Sequence, residues 1–110
     1  PNTIRFAITL KDSNEVIGAI DVVNYVSGNP EIGYCLSRKY WNKGYMSEAL
    51  KTVLDFALNE MKVNRIQGCC CVSNIASKRV MEKCNMHYEG TLKSYLKLKD
   101  GYHDMHLFRY

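Results

Sequence analysis

The stretch Trp41-Asn42-Lys43-Gly44-Tyr45-Met46 holds the residue types that binding a phosphate calls for. A phosphate is held by several donors that converge on it without bulky side chains in between. The free N–H groups at a helix N-terminus supply such donors, and the helix dipole adds favourable potential. Here an apolar run ends at Leu36, a loop carrying Lys39 and Lys43 follows, and Gly44 leads into a segment of helical period. Gly44 would let the backbone approach a ligand closely, and the lysines would add charge. The same residues also suit a plain turn with solvated lysines. The surrounding elements have to decide.

Ile4 to Leu10 reads as a strand, and Lys11-Asp12-Ser13-Asn14-Glu15 as a polar hairpin connection to a returning strand, Val16 to Val23. Ser27-Gly28-Asn29-Pro30 is a turn signal, and Glu31 to Leu36 a third strand. From Met46 the apolar residues fall at Met46, Leu50, Val53, Leu54, Ala57, Leu58 and Met61, the spacing of one helix face. Arg65 to Val72 returns to strand. Asn74 suits an N-cap, with Ala76, Val80 and Cys84 as the expected buried stripe of a second helix. His87 to Leu98 and Tyr102 to Tyr110 read as two strands joined across Lys99-Asp100-Gly101. The strand–helix–strand unit Glu31–Val72 implies a parallel pair with a right-handed crossover, and the remaining pairings are expected to be antiparallel. The expected fold class is one mixed α/β (α+β) domain over residues 1–110, without repeats or linkers.

Composition narrows the function. At 110 residues the chain can hold one core, and no apolar run approaches the roughly 20 residues of a membrane-spanning helix. The net charge of +4 permits an anionic ligand, but the basic residues are scattered, so neither a nucleic-acid partner nor a membrane is expected. Three of the five cysteines, Cys69-Cys70-Cys71, are consecutive, which is neither a zinc spacing nor a count that closes into bridges. They are expected as buried free thiols in a reducing compartment, and the chain as cytoplasmic. His103 and His106 lie three apart on a strand and face opposite sides, so no metal site is expected there.

The residues Glu31-Ile32-Gly33-Tyr34-Cys35-Leu36, followed by Tyr40-Trp41-Asn42-Lys43-Gly44-Tyr45-Met46-Ser47-Glu48-Ala49-Leu50, closely resemble the signature of the GCN5-related N-acetyltransferases (GNAT), and most of all their RimJ/RimL-like branch. Asn74-Ile75-Ala76-Ser77-Lys78-Arg79-Val80-Met81-Glu82-Lys83-Cys84-Asn85-Met86 is similar to the family's second cofactor helix. Glu89-Gly90-Thr91-Leu92 and Gly101-Tyr102-His103-Asp104 complete the match in family order. Some positions depart from the pattern. Trp41 replaces the usual Gln or Arg, Met46 the usual Gly or Ala, and Asn85-Met86 the usual Gly-Phe pair. Many members carry a general-acid Tyr where this chain has Met81, so that role does not carry over.

The resemblance implies a GNAT-like sheet, mostly antiparallel, with a central parallel pair and two helices. It implies acetyl-CoA as co-substrate and a primary amine, on a protein N-terminus or a small molecule, as acceptor. Cys35 and Leu36 would offer backbone groups to the pantetheine arm, Trp41, Asn42, Lys43, Gly44, Tyr45 and Met46 would hold the pyrophosphate, and Asn74 would bond the pantetheine or simply cap its helix. Ser77 would line the cofactor and hydrogen-bond or protonate the leaving thiolate, or cap its helix with Asn74. Glu31, with Glu89 as second choice, is the candidate base; either can be a surface carboxylate, with ordered water draining the proton instead. Family domains usually begin with a further strand and two helices. The chain is therefore expected to be a fragment, or a short member that completes itself as a homodimer through an exposed edge at Ile4–Leu10. A coenzyme-binding module without turnover, or an interaction domain, is the alternative.

Overall fold

The computed structural model describes residues 3–26 and 30–110. The expected turn at Ser27-Gly28-Asn29-Pro30 lies, except for Pro30, outside the described residues. Strand β1 (Thr3–Thr9) pairs antiparallel with β2 (Val16–Val23), and β2 with β3 (Glu31–Leu36). A 3₁₀ turn (Arg38–Tyr40) and the loop to Gly44 lead into helix α1 (Tyr45–Asn59). Then follow β4 (Gln67–Cys71), helix α2 (Ile75–Lys83), β5 (His87–Leu98) and β6 (Gly101–Arg109). The six strands form one sheet in the order β1-β2-β3-β4-β6-β5, with β3 and β4 as its parallel pair.

Both helices cover the same face of the sheet, because alternation sends every second strand side chain there. Ile20 and Val22 of β2, Ile32 of β3, Cys70 of β4 and Phe108 of β6 meet Leu50 and Leu54 of α1 and Met81 and Cys84 of α2 in one buried cluster. Met46, Val53 and Ala57 complete the buried stripe of α1, as the helical period requires. Tyr110 pins the last strand to α1, its hydroxyl donating to Asp55 Oδ1 at 2.6 Å while Lys51 donates to it. Among the described residues, no helix is long and apolar enough to cross a membrane.

Two expectations need correction. The buried residues of α2 are Met81 and, at its C-cap, Cys84, with Val80 only half-buried and Ala76 exposed. The inward line is 77–81–84, and the polar Ser77 at its head concealed it. Gly68 makes room for this packing, since a Cβ there would sit 2.9 Å from Ile32 Cδ1 and 3.2 Å from Met81 Cε. The five free thiols, in turn, are not uniformly buried. Cys70 and Cys84 are, but Cys69 and Cys71 are half-buried and Cys35 is exposed, because these three point away from the helices.

Candidate functional site

The parallel ladder between β3 and β4 consists of only two register pairs, Glu31↔Gln67 and Ile32↔Gly68. Beyond Ile32 the two strands diverge. The β2-facing side of β3 stays paired to its end, where Leu36 opposes Gly18. In an antiparallel ladder alternate residues turn their N–H and C=O groups to the other side. The edge of Gly33–Leu36 that faces β4 therefore offers backbone donors and acceptors to whatever occupies the gap. A cleft opens there, lined by Gly33 and Tyr34 from β3, Cys70 and Cys71 from β4, and Asn74 and Ser77 from α2.

At the far end of β3 the loop is shaped from within. The Trp41 indole Nε1–H donates to the Leu36 carbonyl at 2.8 Å, folding the loop back on the strand that precedes it. The Arg38 guanidinium lies over the Trp41 ring at 5.4 Å. Asn42 and Gly44 both adopt left-handed backbone, with φ of 61° and 80°. Gly44 is the N-cap of α1 and, having no side chain, leaves the first amides of the helix uncapped. Space is open where a Cβ on Gly44 would project, with nothing within 4 Å. Open space beside uncapped helix amides, in a loop that also carries Arg38, Lys39 and Lys43, is compatible with a pyrophosphate. Lys39 also reaches Glu15 at 3.7 Å. Arg38 was not singled out in the sequence, where only the lysines attract notice.

On α2, Asn74 Oδ1 accepts from the Ser77 N–H at 3.1 Å, so Asn74 is an N-cap whose side chain also lines the cleft. Ser77 Oγ lies 2.5 Å from the hydroxyl of Tyr34, with either oxygen able to donate, and the Tyr34 hydroxyl also lies 3.3 Å from the Ser77 carbonyl. Burial pushes Tyr34 up to about 12, against the opposing effect of its bond to Ser77. Nothing in the sequence links the strand residue Tyr34 to Ser77, 43 positions later. Met81 is buried against Ile32 and Gly68 and puts no polar group into the cleft.

Neither Glu31 nor Glu89 lines the cleft, although the Glu31 charge acts on Cys69, which does. Glu31 sits at the closed end of the parallel pair and accepts from Gln67 Nε2 at 3.1 Å. Glu89 is held by Arg65 at 2.9 Å and Arg109 at 3.0 Å. The hydrogen bond from Arg65, aided by the Arg65 and Arg109 charges, keeps Glu89 below its ordinary value of 4.5. A depressed folded value gives stability that is present above the unfolded value and lost as pH falls through the folded one. Wild type should therefore exceed Glu89→Gln in thermal stability at neutral pH, and the gap should narrow below the unfolded value and close as pH falls through the folded one; a gap independent of pH would refute the assignment. His103 bonds Asp100 at 2.6 Å, and His106 bonds Thr91 at 3.2 Å, so the two rings have separate partners.

A family model described as an acetyltransferase (GNAT) domain matches residues 1–87. An uncharacterized N-acetyltransferase, p20, of Bacillus licheniformis is 33% identical over 94% of this chain and 60% of its own length. Among solved structures, an acetyltransferase of the GNAT family from Bacillus anthracis superposes with a TM-score of 0.89 at 34% identity, covering 96% of this chain and 64% of that one. The ribosomal L7/L12 N-terminal acetyltransferase RimL, solved in complex with coenzyme A, shares the fold at a TM-score of 0.90 and 23% identity, covering 99% of this chain and 62% of that one. The chain thus spans about three-fifths of the length of these relatives.

Proposed function

We propose, because this chain belongs to the GNAT acetyltransferase domain family, that it forms the donor-binding part of an acetyl-CoA-dependent N-acetyltransferase acting on a primary amine, at a protein N-terminus or on a small molecule. The observation that carries this reading is the divergence of β3 from β4 directly before the uncapped, glycine-headed start of α1. Acetyl-CoA supplies the activated thioester. The first amides of α1, with Lys43 and Arg38, hold its pyrophosphate from one side of the loop. The gap-facing backbone of Gly33–Leu36, including Cys35, and the side chain of Asn74 align its pantetheine arm. Ser77 presents a hydroxyl to the sulfur end of the cleft. Glu89 is held by two arginines, so the amine's proton goes to Glu31 or drains through ordered water.

The edge strand β1 is where a second copy would pair to form the homodimer, and the supply of acetyl-CoA fits a cytoplasmic setting. A second reading, a coenzyme-binding module without turnover, is favoured by Met81, which removes the usual proton donor from α2. Free-thiol release from acetyl-CoA across a panel of N-terminal peptides and small amines separates the two. Release with at least one amine is the expected result. Tight coenzyme A binding in calorimetry with no release from any amine would establish the binding module instead, and no binding at all would overturn both.

A further inference from the structure

Tyr34 and Ser77 come from different elements, a strand and a helix, and meet at the cleft through their hydroxyls. Each hydroxyl has one hydrogen to give. The contact between the two oxygens, at 2.5 Å, is much shorter than the 3.3 Å from Tyr34 to the Ser77 carbonyl. One hydrogen lies between the oxygens, and either hydroxyl can supply it. If Tyr34 supplies that hydrogen, the Ser77 O–H is left to point elsewhere, and the open side is the cleft. The Ser77 backbone cannot turn to compensate, because its N–H is held by Asn74. Burial favours the neutral phenol, so Tyr34 remains a donor at physiological pH. The titratable groups that act on it are Cys70 and Cys84, whose own ionisation is opposed by burial.

We propose that Tyr34 is a positioning residue that donates to Ser77 Oγ and so aims the Ser77 hydroxyl at the sulfur leaving the acetyl group. This rests on the acetyltransferase reading above and adds to it the residue that compensates for Met81. As the new carbon–nitrogen bond forms and the carbon–sulfur bond breaks, the bonding electron pair goes to sulfur. Ser77 stabilises that charge by a hydrogen bond, and neither hydroxyl loses its proton. The proton shed by the amine nitrogen is the one that finally makes the free thiol. Charge-assisted hydrogen bonds of this kind are roughly twice as strong as neutral ones, so the pair acts most where charge develops.

The test is carried out on the full-length protein with Tyr34→Phe, Ser77→Ala and the double variant. With acetyl-CoA, each single variant should lose about tenfold or more in kcat with KM for acetyl-CoA nearly unchanged, and the double variant should lose little more than either single one. With an activated aryl thioester, whose thiolate needs no help to leave, the Tyr34→Phe deficit should largely vanish. Loss of packing alone would instead slow both donors equally, and that result, or a Tyr34→Phe enzyme as fast as wild type, overturns the proposal. A readout independent of turnover is the ionisation of the thiol of bound coenzyme A, followed by thiolate absorbance against the complex with desulfo-coenzyme A. The wild type should hold that thiol at a lower pKa than either variant does. Identical values overturn the inference even if amines are acetylated. A shift in a protein that acetylates no amine leaves the inference standing and removes the catalytic reading.

Discussion

Replacing Gly44 by valine is expected to weaken coenzyme A binding by about tenfold to a hundredfold, the largest effect of any single change in the loop. At φ 80° this position is left-handed, a conformation that a β-branched residue holds only at a cost of about 1–3 kcal/mol. Valine can hold the conformation and project into the open space where the ligand belongs, since no protein atom fills it. Otherwise the loop relaxes to negative φ and swings the Lys43 and Tyr45 peptide planes away from the phosphate. Binding then has to restore them, and the strain emerges as lost affinity, tenfold for each 1.4 kcal/mol or so. Calorimetry with coenzyme A measures this directly, with thermal unfolding as a control for the fold. An affinity within twofold of wild type would mean that the phosphate lies elsewhere.

Phe108→Ala should have the largest effect on stability. Phe108 is 1% exposed on β6, where its register partners are Gly68 of β4 and Tyr88 of β5. Its ring also meets Tyr88 edge-on at 5.7 Å. Truncating a buried phenylalanine costs about 3–5 kcal/mol, from lost transfer energy and the cavity left behind. A domain of this size has about 5–15 kcal/mol in total. The expected result is a Tm lower by about 15 °C or more, read by circular dichroism. Phe108→Leu, which refills much of the space, should recover most of the loss. A small change in Phe108→Ala would show that the β6–helix contact is not the centre of the core.

What could be foreseen in the chain follows from where local pattern and tertiary demand agree. Val16–Val23, rich in β-branched residues after a polar hairpin connection, and Glu31–Leu36, directly after a turn signal, are legible to the residue. The period of α1 was equally plain, because a helix that lies wholly on a sheet buries a full apolar stripe. Helix α2 misled for the opposite reason. It has nine residues, and the head of its inward line is a serine facing the cleft, so a polar residue hides the apolar signal. The candidate phosphate loop is visible as a glycine before a helical period. The Tyr34–Ser77 pair is not, because nothing local links a strand tyrosine to a helix serine 43 residues later. Nor could the pattern reveal that Glu89 is claimed by two arginines, one from before β4 and one from the end of β6.

The two-pair ladder between β3 and β4 has one more consequence. The sheet amounts to two three-stranded blades, β1-β2-β3 and β4-β6-β5, each continuously antiparallel, that touch along a short seam and share the helices as a common backing. An occupant of the gap touches both blades at once, so it acts as a keystone and not as a guest on a finished surface. Its binding energy is then folding energy for the whole arch, growing with the logarithm of its concentration over Kd. A core weakened at Phe108 would draw on that support most, and tolerance to mutation in this fold would then depend on whether the gap is filled.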